Sequence, residues 1–201
     1  AERPRLWSSI RGPEGNFMKG YDAVIGNIEG AVAREGCDVA DDELLIAPTS
    51  LEKIRLEGVT HGGVMNNHFL RCPYDAATER LFAEARLAPI TGTPTTILGT
   101  NASVTVMGLY AAPVPGDVSA IIEKVSAVPR DDVLVVYVHW GVEYAGVVSN
   151  AERALAHQLI DAGVDAYINT AINGMGERAG NADLVSCILA ITKSSGFKDK
   201  Y

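Results

Sequence analysis

The sequence predicts an α/β fold, on three observations. Helix and strand signals alternate from Thr49 to Ile168, the pattern of layered sheets and helices. The apolar runs are of strand length, and several end in polar clusters. With 47% of its 201 residues hydrophobic, the chain has enough apolar surface for a sizeable core. That length makes one domain, residues 1–201, the natural expectation.

Residues 21–28 carry the first compact run, Ala23, Val24, Ile25 and Ile28, which reads as a buried strand delivering Glu29 at its C-terminal end. Residues 36–42 read as loop. Thr49 and Glu52 have capping-box spacing after Pro48, which predicts a helix over 50–56 ended by Gly58. A short strand over 59–65 then reaches Asn66-Asn67-His68. Pro73 opens a second helix, 74–87, with an apolar stripe of Ala76, Ala77, Leu81, Ala83 and Leu87. Pro89-Ile90 leads into a turn at 91–94.

Residues 103–110 read as a strand, 113–116 as a turn and 118–128 as a helix despite β-branched content. The unbroken Val/Leu run at 133–138 suits a strand covered on both faces and ends in His139-Trp140-Gly141. Ser149 and Glu152 repeat the capping-box spacing ahead of a helix over 151–162, with Leu155, Leu159 and Ile160 on or near one face. Gly163 is suited to end that helix in the left-handed region, and strands are expected at 164–168 and 184–191.

Composition narrows the function classes. A formal charge of -8 repels a phosphate backbone, and no Arg/Lys cluster with interleaved aromatics offsets it, so nucleic acid is not an expected partner. No apolar run reaches the roughly 20 residues needed to span a bilayer. Residues 1–20 lack the basic start and apolar centre of an export signal. Cys37, Cys72 and Cys187 allow at most one intramolecular disulfide and form no Cys-x-x-Cys knuckle; buried or partly buried thiols are the expectation.

Glu29, the Asn66-Asn67-His68 triplet and His139 each sit just past an expected strand, where α/β sheets gather their ligand sites. Carboxylate, amide oxygen and imidazole are the donors a divalent metal takes. His68 or His139 is equally suited to proton transfer. The same residues also fit simpler roles: a capped turn for Asn-Asn-His, a surface pair for Glu29, a satisfied histidine at a sheet edge for His139. Trp140 and Glu143 fit a ligand wall, with Gly141 letting the backbone turn sharply.

These segments resemble a known family. DAVIGNIEG (22–30), GVTHGGVMNNH (58–68), DVLVVYVHWGVEY (132–144) and ALAHQLIDAGVDAYI (154–168) are similar, in the same order, to segments of the CapA family of capsule and poly-γ-glutamate synthesis proteins. The His-Trp-Gly-x-Glu-Tyr stretch with Leu-Ile-Asp-Ala-Gly is the most specific, and the similarity runs over about 21–197. The resemblance implies a four-layer α/β/β/α sandwich like that of calcineurin-type metallophosphoesterases. It implies a divalent metal (Mn, Zn or Fe), with Glu29, Asn67 and His139 as ligands and His68 and His139 as catalytic histidines. It further implies a small-molecule or polymer substrate, association with a membrane-bound polymer synthesis complex, and a place in the cell envelope or outside the cell.

The resemblance is incomplete. The family's opening strand with its Gly-Asp metal ligand has no counterpart before Tyr21. Where the family carries Gly-His-x-Pro-His, this chain reads Asn169-Thr170-Ala171-Ile172-Asn173, so Thr170 and Asn173 occupy the imidazole positions. Asn66, Trp140, Glu143, Thr170 and Asn173 are expected around the pocket. Without one anionic ligand and two imidazoles, a dinuclear site is severely weakened. Two functions follow as expectations: a phosphoesterase-like capsule-synthesis enzyme, or a non-catalytic binding or assembly component of envelope polymer production.

Overall fold

The computed structural model describes residues 18, 20–40, 44–100, 103–111, 118–129, 133–141, 148–168, 170–171 and 182–183. Its architecture is α/β, with parallel and antiparallel strand pairs and helices between them. The chain divides into two compact units between Leu109 and Tyr110.

The first unit is built on a parallel sheet in the order β1-β4-β5, with β1 at Ile25–Asn27, β4 at His61–Gly63 and β5 at Ala88–Ile90. Ile25 faces His61 in the ladder, and His61 faces Ala88. All three strands point the same way, so their C-terminal ends share one edge. Between β1 and β4 the chain makes a small parallel pair, β2 (Ala31–Val32) with β3 (Leu45–Ile46), and then helix α1 (Pro48–Leu56). Helix α2 (Ala76–Glu84) crosses from β4 to β5. An antiparallel pair, β6 (Thr95–Leu98) with β7 (Ser103–Ala111), follows.

Helix starts differ from expectation in an instructive way. Thr49 does not cap α1. Pro48 takes the first helical turn, where its fixed φ and missing N–H cost nothing, so Thr49 falls inside the helix and Ala47 precedes it with no side-chain cap. Helix α2 begins later than expected because Asp75, three residues after Cys72, accepts hydrogen bonds from the N–H groups of Ala77 (3.1 Å) and Thr78 (3.0 Å). The stripe of α2 is also different. Thr78, Phe82 and Ala85 face inward, while Ala76 and Ala83 are exposed, because the large Phe ring sets which face is buried.

Ile28, Val32, Leu51, Val59, Val64, Phe69, Phe82 and Leu87 form one apolar cluster that locks α1 and α2 onto the sheet. Each such side chain stabilises the fold by about 1.5–3 kcal/mol on full burial. Gly62 lies at its centre. A Cβ there would come within 2.8 Å of Ile28 Cγ1 and 3.1 Å of Phe82 Cε1, so the missing side chain is what lets the Phe82 ring reach the sheet. Beside this cluster, Cys37 and Cys72 form a disulfide packed with Ala31 and Val39. The expectation of free thiols is thereby corrected for these two: the β1–β4 sheet brings together segments that are 35 residues apart in the chain.

In the second unit, α3 (Ser119–Ser126) precedes β8 (Val133–Trp140), and α4 (Asn150–Ala162) connects β8 to its parallel partner β9 (Ala166–Ile168). The Ser149–Glu152 capping box forms, with the Ser149 N–H donating to Glu152 and the Glu152 N–H donating to Ser149 Oγ at 3.1 Å. Gly163 ends α4 at φ 111°. Leu155, Ala156, Leu159 and Ala162 are the buried face of α4, whereas Ile160 is half exposed, one position around the helix from that stripe. Within the Val/Leu run of β8, Leu134, Val136 and Val138 are fully covered, with Val135 and Tyr137 half-buried and Val133 exposed. Two further two-residue strands, Thr170–Ala171 (β10) and Ala182–Asp183 (β11), pair in parallel. The strand expected at 184–191 lies outside the described residues.

Gly62→Ala is expected to destabilise the chain by about 1–3 kcal/mol through overpacking. A urea unfolding midpoint unchanged from the parent would contradict the close approach of α2 to β4.

Candidate functional site

The parallel pairing of β1 with β4 sets Asn27 opposite Gly63, so the residues after both strands emerge side by side. Asn27 is the last residue of β1, and its side-chain amide donates to Glu29 Oε2 at 2.6 Å. Its carbonyl oxygen in turn accepts from Asn66 Nδ2 at 3.1 Å. The same Asn66 nitrogen donates to the Ile28 carbonyl (3.0 Å), and Asn66 Oδ1 accepts from the Phe69 N–H at 2.7 Å. Asn66 is fully buried, so each of these bonds acts in a low-dielectric setting where an unmade one is costly. The result is a continuous amide relay from Glu29 to the turn that carries Asn67 and His68.

That turn is fixed at both ends. Phe69–Arg71 is a short 3-10 turn with His68 as its first cap, and Phe69 is buried edge-on against Phe82, ring centroids 6.0 Å apart. The backbone just before it is seated by Met65, which fills the space beside Gly108; a Cβ on Gly108 would come within 2.7 Å of Met65 Cγ. Asn67 and His68 are half-buried, as is Glu29. The structure therefore brings Glu29 and the Asn66-Asn67-His68 triplet to one sheet edge.

Arg34 braces the same region from below. Its guanidinium donates to Thr78 Oγ1 (3.0 Å) and to the Pro73 carbonyl (2.9 Å), and pairs with Asp75 at 2.9 Å. The N–H of Thr78 first, and then the Thr78 hydroxyl and Arg34, hold the Asp75 carboxyl below the usual carboxylate range.

His139 belongs to the second unit. It lies near the end of β8, buried, with its ring 5.9 Å from that of Tyr110. Trp140 follows, half-buried, and Gly141 at φ 94° makes the sharp exit expected of it. Asp165, by contrast, is no companion to His139. Its carboxylate accepts from the Leu134 N–H at 2.8 Å and its own N–H donates to the Leu134 carbonyl, at the opposite end of β8. Thr170 begins β10, two residues after β9. Glu143 and Asn173 lie outside the described residues.

Two polar residues were not singled out by sequence reasoning. Asn27 is one; its signal was its place two residues before Glu29, but a link to Asn66 depends on strand register. His61 is the other. It sits in β4, with Thr60 Oγ1 2.8 Å from its Nδ1, and burial, then the charge of Arg55, push it below the ordinary histidine value of about 6.5. It lies in the sheet rather than past a strand end, so its role is in stability.

The donor chemistry can be judged for the first unit. Glu29, Asn67 and His68 offer one carboxylate, one amide and one imidazole, a set suited to a single weakly held divalent ion. Among the described residues no group of three or more His, Cys, Asp or Glu side chains is arranged to hold a metal. Glu29, Asn67 and His68 do not by themselves make a closed dinuclear centre, and no chemical step is derived through one.

Comparison with known proteins places part of this chain. Residues 82–171 match the model of the family described as bacterial capsule synthesis protein PGA_cap, which bears out the CapA-type identification made from the motifs. The match takes in His139, Trp140 and the α4–β9 segment; Glu29 and the Asn66–His68 turn precede it. A 56-residue stretch is also 55% identical to the citrate (Re)-synthase of Dehalococcoides mccartyi (strain CBDB1). That stretch is 28% of this chain and 14% of that protein, so the chain spans a small part of its length.

Asn66→Ala should cost about 2–3 kcal/mol, since it orphans the buried Phe69 N–H and the Ile28 carbonyl; an unfolding free energy within 0.5 kcal/mol of the parent, on the order of a surface change, would count against the relay. For His61, the unfolded chain binds the proton more tightly than the folded one. Its contribution is therefore complete above about pH 6.5 and is lost as pH falls through the lowered folded value. Melting temperature is expected to drop less between pH 7 and pH 5 in His61→Gln than in the parent, and equal drops would refute this.

Proposed function

We propose, from a chain identified as CapA-type over residues 82–171, that this protein serves the synthesis of capsule or poly-γ-glutamate. The observation that carries the reading is the family match itself. The strand-end cluster of Glu29, Asn67 and His68 supplies the place where a small-molecule or polymer substrate would be held. In this reading the chain takes the four-layer α/β/β/α sandwich class of the metallophosphoesterase-like fold and works alongside a membrane-bound polymer synthesis complex.

The enzymatic form of this role is phosphoesterase-like. Glu29 and Asn67 would hold one divalent ion (Mn, Zn or Fe), which supplies Lewis acidity when bound. His68, half-buried on the same turn, would give a proton to the leaving oxygen. His139, with Tyr110 against its ring, would serve as the second histidine of the reading.

A second reading is favoured by the residues themselves. Thr170 and Asn173 stand where imidazoles are expected. Those substitutions remove charge and metal affinity while leaving hydrogen-bonding groups, which suits a binding or assembly component. Placement in the cell envelope or outside the cell is supported by the Cys37–Cys72 disulfide, since disulfides persist in oxidising compartments. The formal charge of -8 supports a partner other than nucleic acid.

Elemental analysis of the purified chain after dialysis is expected to find less than one Mn, Zn or Fe per chain. Recovery of two ions would overturn the weakened-site reading. A generic phosphodiester assay separates the two roles: metal-dependent turnover abolished by His68→Ala supports the enzyme, and no turnover with any of the three metals supports the binding component.

A further inference from the structure

We propose that the Cys37–Cys72 disulfide is a maturation requirement of the candidate site: it orders the turn that presents Asn67 and His68, so the site is complete only in the oxidised chain. This rests on the reading of that turn as functional. The turn is too short to hold itself. Phe69–Arg71 is one 3-10 turn; the Leu70 N–H donates to the Asn66 carbonyl at 3.1 Å, but the later bonds, Arg71 N–H to His68 O and Cys72 N–H to Phe69 O, are long at 3.4 Å. Among its attachments are the Asn66 side chain at the start, the Phe69 ring in the core, and the Cys72 disulfide immediately after its last residue. Of these the disulfide alone is covalent.

The other end of that covalent tie is itself anchored. The Cys37 N–H donates to the Arg34 carbonyl at 3.1 Å, and Arg34 is bonded to Pro73, Asp75 and Thr78. Cys72 thus joins the turn to a braced segment rather than to a free loop. Cutting the bond removes the covalent hold on the end of the turn, leaving the contacts of Asn66 and Phe69 at its start and of Arg34 with Pro73 beyond it, so Phe69 to Cys72 opens more readily.

Reduction balances simply. A dithiol reductant gives two electrons and two protons, becoming a disulfide, and the S–S bond opens to the Cys37 and Cys72 thiols. Both sulfurs belong to buried residues, 9% and 5% exposed, so a thiolate reaches them only after local opening. Exchange is therefore slow once the bond is made, which fits a step taken once during maturation better than a rapid switch.

The test is amide hydrogen exchange on the full chain carrying Cys187→Ser, which removes the third thiol, in the oxidised form and after reduction with excess dithiothreitol. Exchange at Phe69 and Leu70 is expected to rise at least ten-fold on reduction, while Val64 in the sheet edge and Arg153 in α4 keep their rates. Unchanged rates at Phe69 and Leu70 would overturn the proposal. So would a uniform rise at all four, which would make the disulfide a general brace. Cys72→Val, which keeps an apolar residue at that position, should reproduce the reduced pattern without reductant. Binding of Mn2+ to the same samples reports on the site separately. Loss on reduction supports the proposal and equal binding in both forms counts against it. Absence of binding in both sinks the metal-holding form of the site, while the exchange rates still decide the role of the disulfide.

Discussion

The first unit depends on what a single buried amide does. Asn66 bonds to the chain leaving β1, through Ile28 and Asn27, and to the turn leaving β4, through Phe69. Parallel strands end on the same edge but have no reason of their own to keep their exit loops together. A side chain with both donor and acceptor, fully shielded from water, supplies that reason. An aspartate would lose the donors and a leucine would lose both functions. Geometry at Glu29 and geometry at His68 are consequently not independent, since Asn27 and Asn66 stand between them.

Around that amide the fold is arranged to tolerate no slack. Gly62 admits Phe82 against β4, Gly108 admits Met65 beneath the turn, and Phe69 closes the space between Phe82 and Tyr74. Removing side chains at two positions lets larger ones interlock at two others. Polar and apolar constraints then agree on one conformation of the turn, which is the consistency that gives a well-defined native state.

Much of this was legible in the residues. The Ser149–Glu152 box and Gly163 gave α4 its ends, because caps are local chemistry. The Val/Leu run gave β8, and the polar residues past strand ends gave the edge where Glu29 and Asn66–His68 meet. What was not legible depended on tertiary partners. Two-residue strands such as β2 and β3 carry no period to read. Thr49 had the right spacing for a cap, but Pro48 displaced it by taking the first turn. Ile160 looked apolar enough to be buried, yet the helix turned it outward. The link from Asn27 to Asn66 exists only because the β1–β4 register sets Asn27 beside Gly63. The match to the capsule synthesis family covers the second half of the motif series, so the resemblance and the geometry support different parts of the chain.

The Arg34 brace has a consequence for how the oxidised chain is held together. Three thiols can pair in more than one way, and the observed Cys37–Cys72 bond joins the two nearest in sequence, 35 residues apart. Arg34 binds the Pro73 carbonyl and Asp75, and lies three residues from Cys37, while Pro73 adjoins Cys72. Those non-covalent contacts hold the two cysteine-bearing segments side by side independently of the S–S bond. The ion pair and the covalent bond therefore tie the same two segments twice, one tie responsive to salt and the other to redox conditions.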